Sequence, residues 1–243
     1  LAIAIQIFRQ REQPASYLSY RRIKYDVFSR ELGWAGLEDL TGEPIAREDP
    51  FDDAGRFVLA RTEAGVPVGV VRGIGLDEGF PHRNLFERHF DDARFQRAFP
   101  RLITANALAV LSEYRKRNFR VVGCNWSGSA GMLLMLALFQ SFYSEDRIGA
   151  VITAGGIESA LFFRKLGCLV IDPPCETALH CEPLTNFGIV FGTDGHRMAA
   201  ETCCMSPGQP TRPNPTRQGL QDYFRHCQER SLGSKLLESW FRS

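Results

Sequence analysis

The apolar positions of this chain change their spacing several times, and each change marks an element. Residues 1–11 alternate loosely and fit a first strand or the start of a helix, until Pro14 interrupts the run. Ile23, Val27 and Leu32 then lie four or five residues apart, as on one side of a short helix over about 16–32. Gly33 stops that helix, so Trp34 must turn inward or cap a cavity. A polar segment with Gly and Pro fills 35–55, near the upper end of loop lengths, which argues that it covers a site. Alternation returns at 56–62 and 67–74, two strands joined by Glu63-Ala64-Gly65, a connection suited to a hairpin. Gly73, Gly75, Gly79 and Pro81 break the pattern again before a short amphipathic piece at 84–90.

The stretch 101–127 supports two arrangements. In one, Asn106–Leu111 is a strand and Glu113–Asn118 opens a basic turn. In the other, 101–117 is a helix of good helix formers and Arg120–Trp126 is the strand. The strand-forming content of Phe119–Trp126 tips the balance toward the second. Beyond it, Gly128-Ser129-Ala130-Gly131 opens a helix to about Tyr143, with Ser129 as its cap. Its core, Met132–Phe139, is apolar on every side and fits a helix buried between layers. Strands follow at 148–153, 168–171 and 186–192, with a helix at 157–165 between the first two. Pro207, Pro210, Pro213 and Pro215 then mark a linker, and a terminal helix spans about 218–241, weakened at Gly233. That helix packs back on the domain or mediates a homodimer, and packing back is the safer expectation. The implied organisation is one domain at 1–205 and an extension at 206–243.

Composition narrows the function. With 243 residues, 44% of them hydrophobic and 23% charged, the chain can bury a substantial core. A net charge of +1 gives no reason to expect nucleic acid, although local basic groups could receive a phosphorylated ligand or an acidic carrier protein. No apolar stretch is long enough for a membrane span, and Leu1–Ile5 is a poor secretory signal because its arginines follow it. The seven cysteines form an odd set without a Cys-x-x-Cys pair and read as reduced thiols in cytoplasm. Cys175, His180 and Cys181 match no strong zinc spacing, and no metal is expected.

The densest collection of chemically useful groups is at 20–52, with Arg72 as its continuation. Lys24, Phe28, Trp34, Asp49 and Asp52 place a cation, aromatic surface and two acids before one strand. On spacing alone, an ordinary amphipathic helix with core aromatics explains Phe28 and Trp34 at least as well. However, a basic residue, a Phe four positions on, a Trp six further and then Asp-x-x-Asp before a strand resembles the amino-terminal signature of the acyl-homoserine-lactone synthases. These are the LuxI-type autoinducer synthases, within the GNAT-like acyltransferase superfamily. Arg72 stands where that family has an arginine, and Asn84-Leu85-Phe86 resembles its aromatic position. The order of long helix, strand, short helix, Gly and strand after residue 130 is similar too. The resemblance covers roughly 16–192 and implies an α/β (α+β) fold with a mixed central sheet flanked by helices. In those proteins a gap between neighbouring strands admits the acyl-pantetheine arm.

Two departures stand beside the resemblance. The family usually has Arg where this chain has Lys24. Its fourth-strand Glu-x-x-Arg is missing: the Leu-Ala-Val alignment puts Thr104 and Ala107 there, and the other strand choice puts Gly123 and Trp126 there. Glu113 could serve only in a different register.

What the resemblance implies is acyl transfer from a pantetheine thioester, on CoA or an acyl carrier protein, to the amine of a small amino-acid-like substrate, S-adenosylmethionine being one candidate. No tightly bound cofactor is expected, because the acyl donor enters as co-substrate. Asp52 is the first candidate to orient or deprotonate the amine, and Asp49 to hold its ammonium. Arg72 would brace these acids or bind a substrate carboxylate. Lys24, Phe28 and Trp34 would enclose the amine, with Glu31 a candidate to share the cation of Lys24. Phe86 would line its exit or the acyl channel, and His82 is the only histidine in a loop near the site. Gly128, Ser129 and Gly131 could hold a phosphate of the pantetheine arm at the helix start, although a capped helix needs nothing bound. The missing acid points to altered chemistry or an altered amine. The alternatives are an acyl-CoA-dependent GNAT enzyme without S-adenosylmethionine and an inactive GNAT-like binding protein.

Overall fold

The computed structural model describes residues 1–34, 36–81, 83–143, 150–155, 162–163, 168–172, 185–190 and 215–232. They fall into two units. One comprises the described residues up to Ile74 and from Ala105 to Tyr143; the other comprises Gly75–Thr104 and the described residues from Ala150 onward.

The first unit opens with β1 (Ala2–Arg9), which pairs antiparallel with β2 (Arg56–Thr62) and parallel with β5 (Asn118–Val121). β2 pairs antiparallel with β3 (Pro67–Gly75), and β5 with β6 (Ser127–Ser129). β4 (Ile103–Val110) lies next to β3, where the Leu111 amide donates to the Val68 carbonyl. The strand at 103–110 overturns the arrangement favoured from composition, in which 101–117 is a helix. Good helix formers lose here because pairing with other strands outweighs local preference: the end of the strand bonds to β3, where Leu111 donates to Val68.

Strand alternation decides which side chains meet the helices. Phe57 is opposite Arg72 and Leu59 opposite Val70, so these four share one face. That face is covered by α1 (Pro14–Lys24), whose Tyr17, Tyr20 and Ile23 join Phe57, Leu59 and Val70 in one core. The opposite face belongs to α3 (Ala130–Tyr143), which buries Leu133, Leu134 and Leu138. Gly69 and Gly73 turn toward this side: a Cβ on Gly73 would lie 2.7 Å from Leu138. Ser129 caps α3 by accepting the Met132 amide at 3.4 Å.

Past Lys24 the helix widens into a π-helical turn, Tyr25–Glu31. Gly33 ends it at φ +69°, in the left-handed region where a side chain is strained. The Trp34 amide then returns to the Phe28 carbonyl at 2.8 Å. This closure stacks the Trp34 ring on Phe28, with centroids 4.6 Å apart and planes within 17°.

In the second unit β7 (Ala150–Gly155) pairs parallel with the start of β4, at Ile103 and Thr104, and antiparallel with β9 (Thr185–Val190). β9 pairs with β8 (Leu169–Val170). A 3-10 segment (Arg83–Asp91) and α2 (Ala93–Ala98) pack with α4 (Pro215–Leu232), which buries Leu220, Tyr223 and Phe224 against Phe95 and Ala98. The described part of the terminal helix therefore packs back on its own unit. Of the helix expected at 157–165, only 162–163 are among the described residues, and they are helical; the terminal helix beyond 232 and the linker lie outside them.

Gly69 offers a direct test of strand packing, because its Cβ would meet the Ala109 carbonyl oxygen at 2.8 Å. Gly69→Ala is expected to cost about 1–3 kcal/mol through forced separation of β3 and β4. Urea unfolding measures it; an unchanged midpoint would show that the strands stand further apart.

Candidate functional site

The loop between α1 and β2 is held down by Arg21, whose Nε donates to the Ala46 carbonyl at 2.6 Å and whose guanidinium pairs with Asp39. The Ala46 amide returns a bond to the Arg21 carbonyl at 3.0 Å. These ties deliver Asp-x-x-Asp to the face that carries Arg72. Within the motif, the Phe51 amide donates to Asp49 Oδ1 at 2.9 Å and the Asp49 amide to Asp52 Oδ2 at 3.0 Å. A Pro-containing turn thus orders both acids by local bonds.

Arg72 lies at the centre, with 3% of its side chain exposed. Its Nη1 donates to Asp52 Oδ1, its Nη2 to Asp49 Oδ2 at 3.2 Å, and its Nε to Asn106 Oδ1 at 2.6 Å. Burial opposes the charge of Arg72, but the two acids paired with it more than offset this and raise its pKa. Arg72 therefore braces both carboxylates and is not left to take a substrate carboxylate.

Asp52 is buried and fully engaged, since Tyr17 Oη also donates to its Oδ2 at 2.6 Å. Burial and this bond to Asp52 raise the pKa of Tyr17, which stays a phenol and a donor. Asp49 is the more open acid, with a quarter of its side chain exposed. Burial works against its ionisation, but Arg72, the Phe51 amide and Lys24 outweigh it and hold its pKa below the usual carboxylate range.

Lys24 is buried rather than solvent-facing, with its Nζ 3.8 Å from Asp49 Oδ2. Burial lowers its pKa, aided by Arg72 and opposed by the two acids. Glu31 does not share this cation, because it forms a two-pronged pair with Arg115 instead. Phe28 is buried and Trp34 half-buried beside the same core.

The structure thus brings together Lys24, Phe28, Trp34, Asp49, Asp52 and Arg72. It adds Tyr17, Tyr20 and Asn106, which the sequence reading missed. Tyr17 could have been found from helical spacing, since Tyr17, Tyr20 and Lys24 fall on one face of α1. Phe86 belongs to the second unit, where it is 1% exposed in an aromatic core with Phe80 and His89. That His89 is itself tied to Tyr223 and Asp172 at 2.8 Å each. His82 lies outside the described residues. Ser129 caps α3, Gly128 precedes it on β6 and Gly131 lies in its first turn. Thr104 is buried on β4, and Glu113 is exposed beyond its end. Ala107 adopts φ 51° and interrupts the extended geometry of β4 immediately after Asn106.

Of the cysteines, Cys124, Cys168 and Cys227 are free thiols, and burial pushes Cys168 up to about 12. Among the described residues no group of acids, histidines or cysteines could hold a metal. No helix among them is long and apolar enough to cross a membrane.

This is the GNAT-like acyltransferase fold, in the form shared with the acyl-homoserine-lactone synthases. The CoA-dependent acyl-homoserine lactone synthase BjaI, in a structure with MTA, superposes with a TM-score of 0.63 at 13% identity, covering 91% of this chain and 99% of that one. The same synthase with SAM and isopentyl-CoA gives 0.61 at 14% identity, over 91% of this chain and 99% of that one. A putative N-acetyltransferase from Lactobacillus plantarum gives 0.52 at 14% identity, over 78% of this chain and 99% of that one. No protein-family model matches the chain, and no curated protein matches it in sequence.

The two tyrosines separate supported from unsupported hydroxyls. Tyr17 donates to a buried carboxylate, whereas Tyr20, fully buried, has no partner for its hydroxyl among the described residues. Tyr17→Phe is expected to cost about 1.5–3 kcal/mol, while Tyr20→Phe should be neutral or slightly stabilising. Thermal unfolding of both variants checks this, and equal losses would contradict it.

Proposed function

We propose that this chain is an N-acyltransferase that moves an acyl group from a pantetheine thioester to the amine of a small, amino-acid-like substrate. The observation that carries this reading is the buried network in which one guanidinium orders two carboxylates, joined through Tyr17 to the core that also holds the stacked Phe28 and Trp34. Acyl transfer needs the amine held, its ammonium freed of a proton, and water kept away from the thioester. The network suits the first task best. Asp49, open enough to be reached and held ionised, anchors the ammonium.

A carboxylate kept below its usual range is a weak base, so Asp49 orients the amine while the proton leaves through water. The amine nitrogen then forms the amide bond to the carbonyl carbon, the carbon–sulfur bond breaks, and the pantetheine thiol departs. Asp52 acts through Arg72 and Tyr17 as a positioning residue, in place of the base expected from sequence. Phe28 and Trp34 enclose the amine, and Lys24 lies 3.8 Å from Asp49 and helps to keep that acid ionised. The start of α3, with Gly128, Ser129 and Gly131, is the candidate seat for a phosphate of the donor.

Support for a CoA or carrier-protein thioester comes from the fold, and BjaI was seen with SAM and isopentyl-CoA. The amine of this chain is expected to differ from that of the lactone synthases, because the resemblance, aligned on the Leu-Ala-Val run, puts Thr104 and Ala107 where that family has Glu and Arg. An acyl-CoA-dependent enzyme that does not use S-adenosylmethionine is the reading this departure favours most.

Incubation with acyl-CoA and pools of amino acids or S-adenosylmethionine, followed by mass spectrometry, tests the proposal. A new amide with release of free CoA is expected, and CoA release by hydrolysis alone would contradict it. Asp49→Asn should lower turnover at least about tenfold while leaving the fold intact. Asp52→Asn should in addition cost about 3–5 kcal/mol, because it leaves the buried Arg72 short of a partner. Equal stability of the two variants would remove the distinction between anchor and positioning residue.

A further inference from the structure

We infer that Asn106 is a substrate-contacting residue whose side-chain amide donates to the carbonyl oxygen of the acyl donor. The inference rests on the N-acyltransferase reading and deepens it. Arg72 carries only donors, so the atom of Asn106 that receives its Nε at 2.6 Å must be the carbonyl oxygen Oδ1. This fixes the amide against rotation and sends Nδ2 to the other side. There Nδ2 is shielded from solvent and has no hydrogen-bond partner among the described residues. An unpaired buried donor is costly, and unlike the Tyr20 hydroxyl this one cannot turn to find a partner, because Arg72 holds Oδ1; it marks a place kept for an acceptor.

The identity of that acceptor follows from charge. The two cations of the network, Lys24 and Arg72, are matched by Asp49 and Asp52, and Arg72 has spent its guanidinium on Asn106 and the two acids. An anionic carboxylate would meet two acids and no spare cation. A neutral carbonyl oxygen meets a neutral donor at no such penalty, and as charge grows on that oxygen the bond strengthens. Position agrees: Asn106 is on β4, immediately before Ala107 leaves extended geometry at φ 51°. Asn106 would thus hold the carbonyl oxygen on a strand that carries no acidic or basic side chain.

The test compares binding of two non-transferable probes. One is the ketone analogue of a medium-chain acyl-CoA, with methylene in place of sulfur; the other is the matching alkyl thioether of CoA, which lacks the carbonyl oxygen. The wild-type chain is expected to bind the ketone about five- to tenfold more tightly. Asn106→Ala should abolish that preference, read as the ratio of the two affinities, because the variant also strips Arg72 Nε of its acceptor. Asn106→Asp keeps an oxygen for Arg72 but replaces the donor by an acceptor, and should reverse the preference. Equal binding of both probes by the wild type, or a ketone preference surviving in Asn106→Asp, would overturn the inference. Because neither probe reports on amide formation, a chain that prefers the ketone yet makes no amide would count against the proposed activity and leave the carbonyl contact standing.

Discussion

A buried guanidinium is the constraint from which the rest of this structure follows. Removing the charge of Arg72 from water costs several kcal/mol, and only partners on every donor edge can return that. The chain supplies them from two segments, the Asp-x-x-Asp loop and β4 through Asn106, and α1 seats Tyr17 against Asp52 behind them. The loop before β2 is tied at Asp39 and Ala46 by Arg21 and at Asp49 and Asp52 by Arg72. One side chain of β3 therefore organises a loop, a helix and a neighbouring strand. Asp52 comes to lie away from bulk water, while Asp49 keeps an open edge.

Much of this was legible in the sequence, for a specific reason. The resemblance rests on residues that the network itself requires, so Lys24, Asp49, Asp52 and Arg72 could be picked out before any contact was visible. Alternation at 56–62 and 67–74 gave the hairpin, and Gly33 gave the end of the first helix. Asn106 escaped notice because a lone Asn in an apolar strand has no pattern around it; only the pairing of Oδ1 with Arg72 singles it out. The stretch 101–117 misled because its helix formers carry a weak local preference, while strand pairing is a tertiary effect that no window of sequence contains. The π-helical turn at Tyr25–Glu31 was equally hidden, although it decides that Phe28 and Trp34 stack.

The roles of the two acids also separate only in three dimensions. Asp49 and Asp52 are chemically identical and three residues apart, so sequence ranks them by order alone. Burial ranks them otherwise: Asp52 spends its oxygens on Arg72, Tyr17 and the Asp49 amide, and Asp49 keeps an open edge. In this account one acid maintains the architecture so that the other can meet a ligand. Phe86 illustrates the converse, a motif residue whose burial is explained by the aromatic core of the second unit.

The measurement that bears most directly on this account is a crystal structure with a non-transferable acyl-CoA analogue and the amine identified from product analysis. The account predicts the amine nitrogen about 3 Å from a carboxylate oxygen of Asp49, between that acid and the stacked Phe28 and Trp34. An amine bound elsewhere, with Asp49 still turned to Lys24 and Arg72 and touching no ligand, would contradict it.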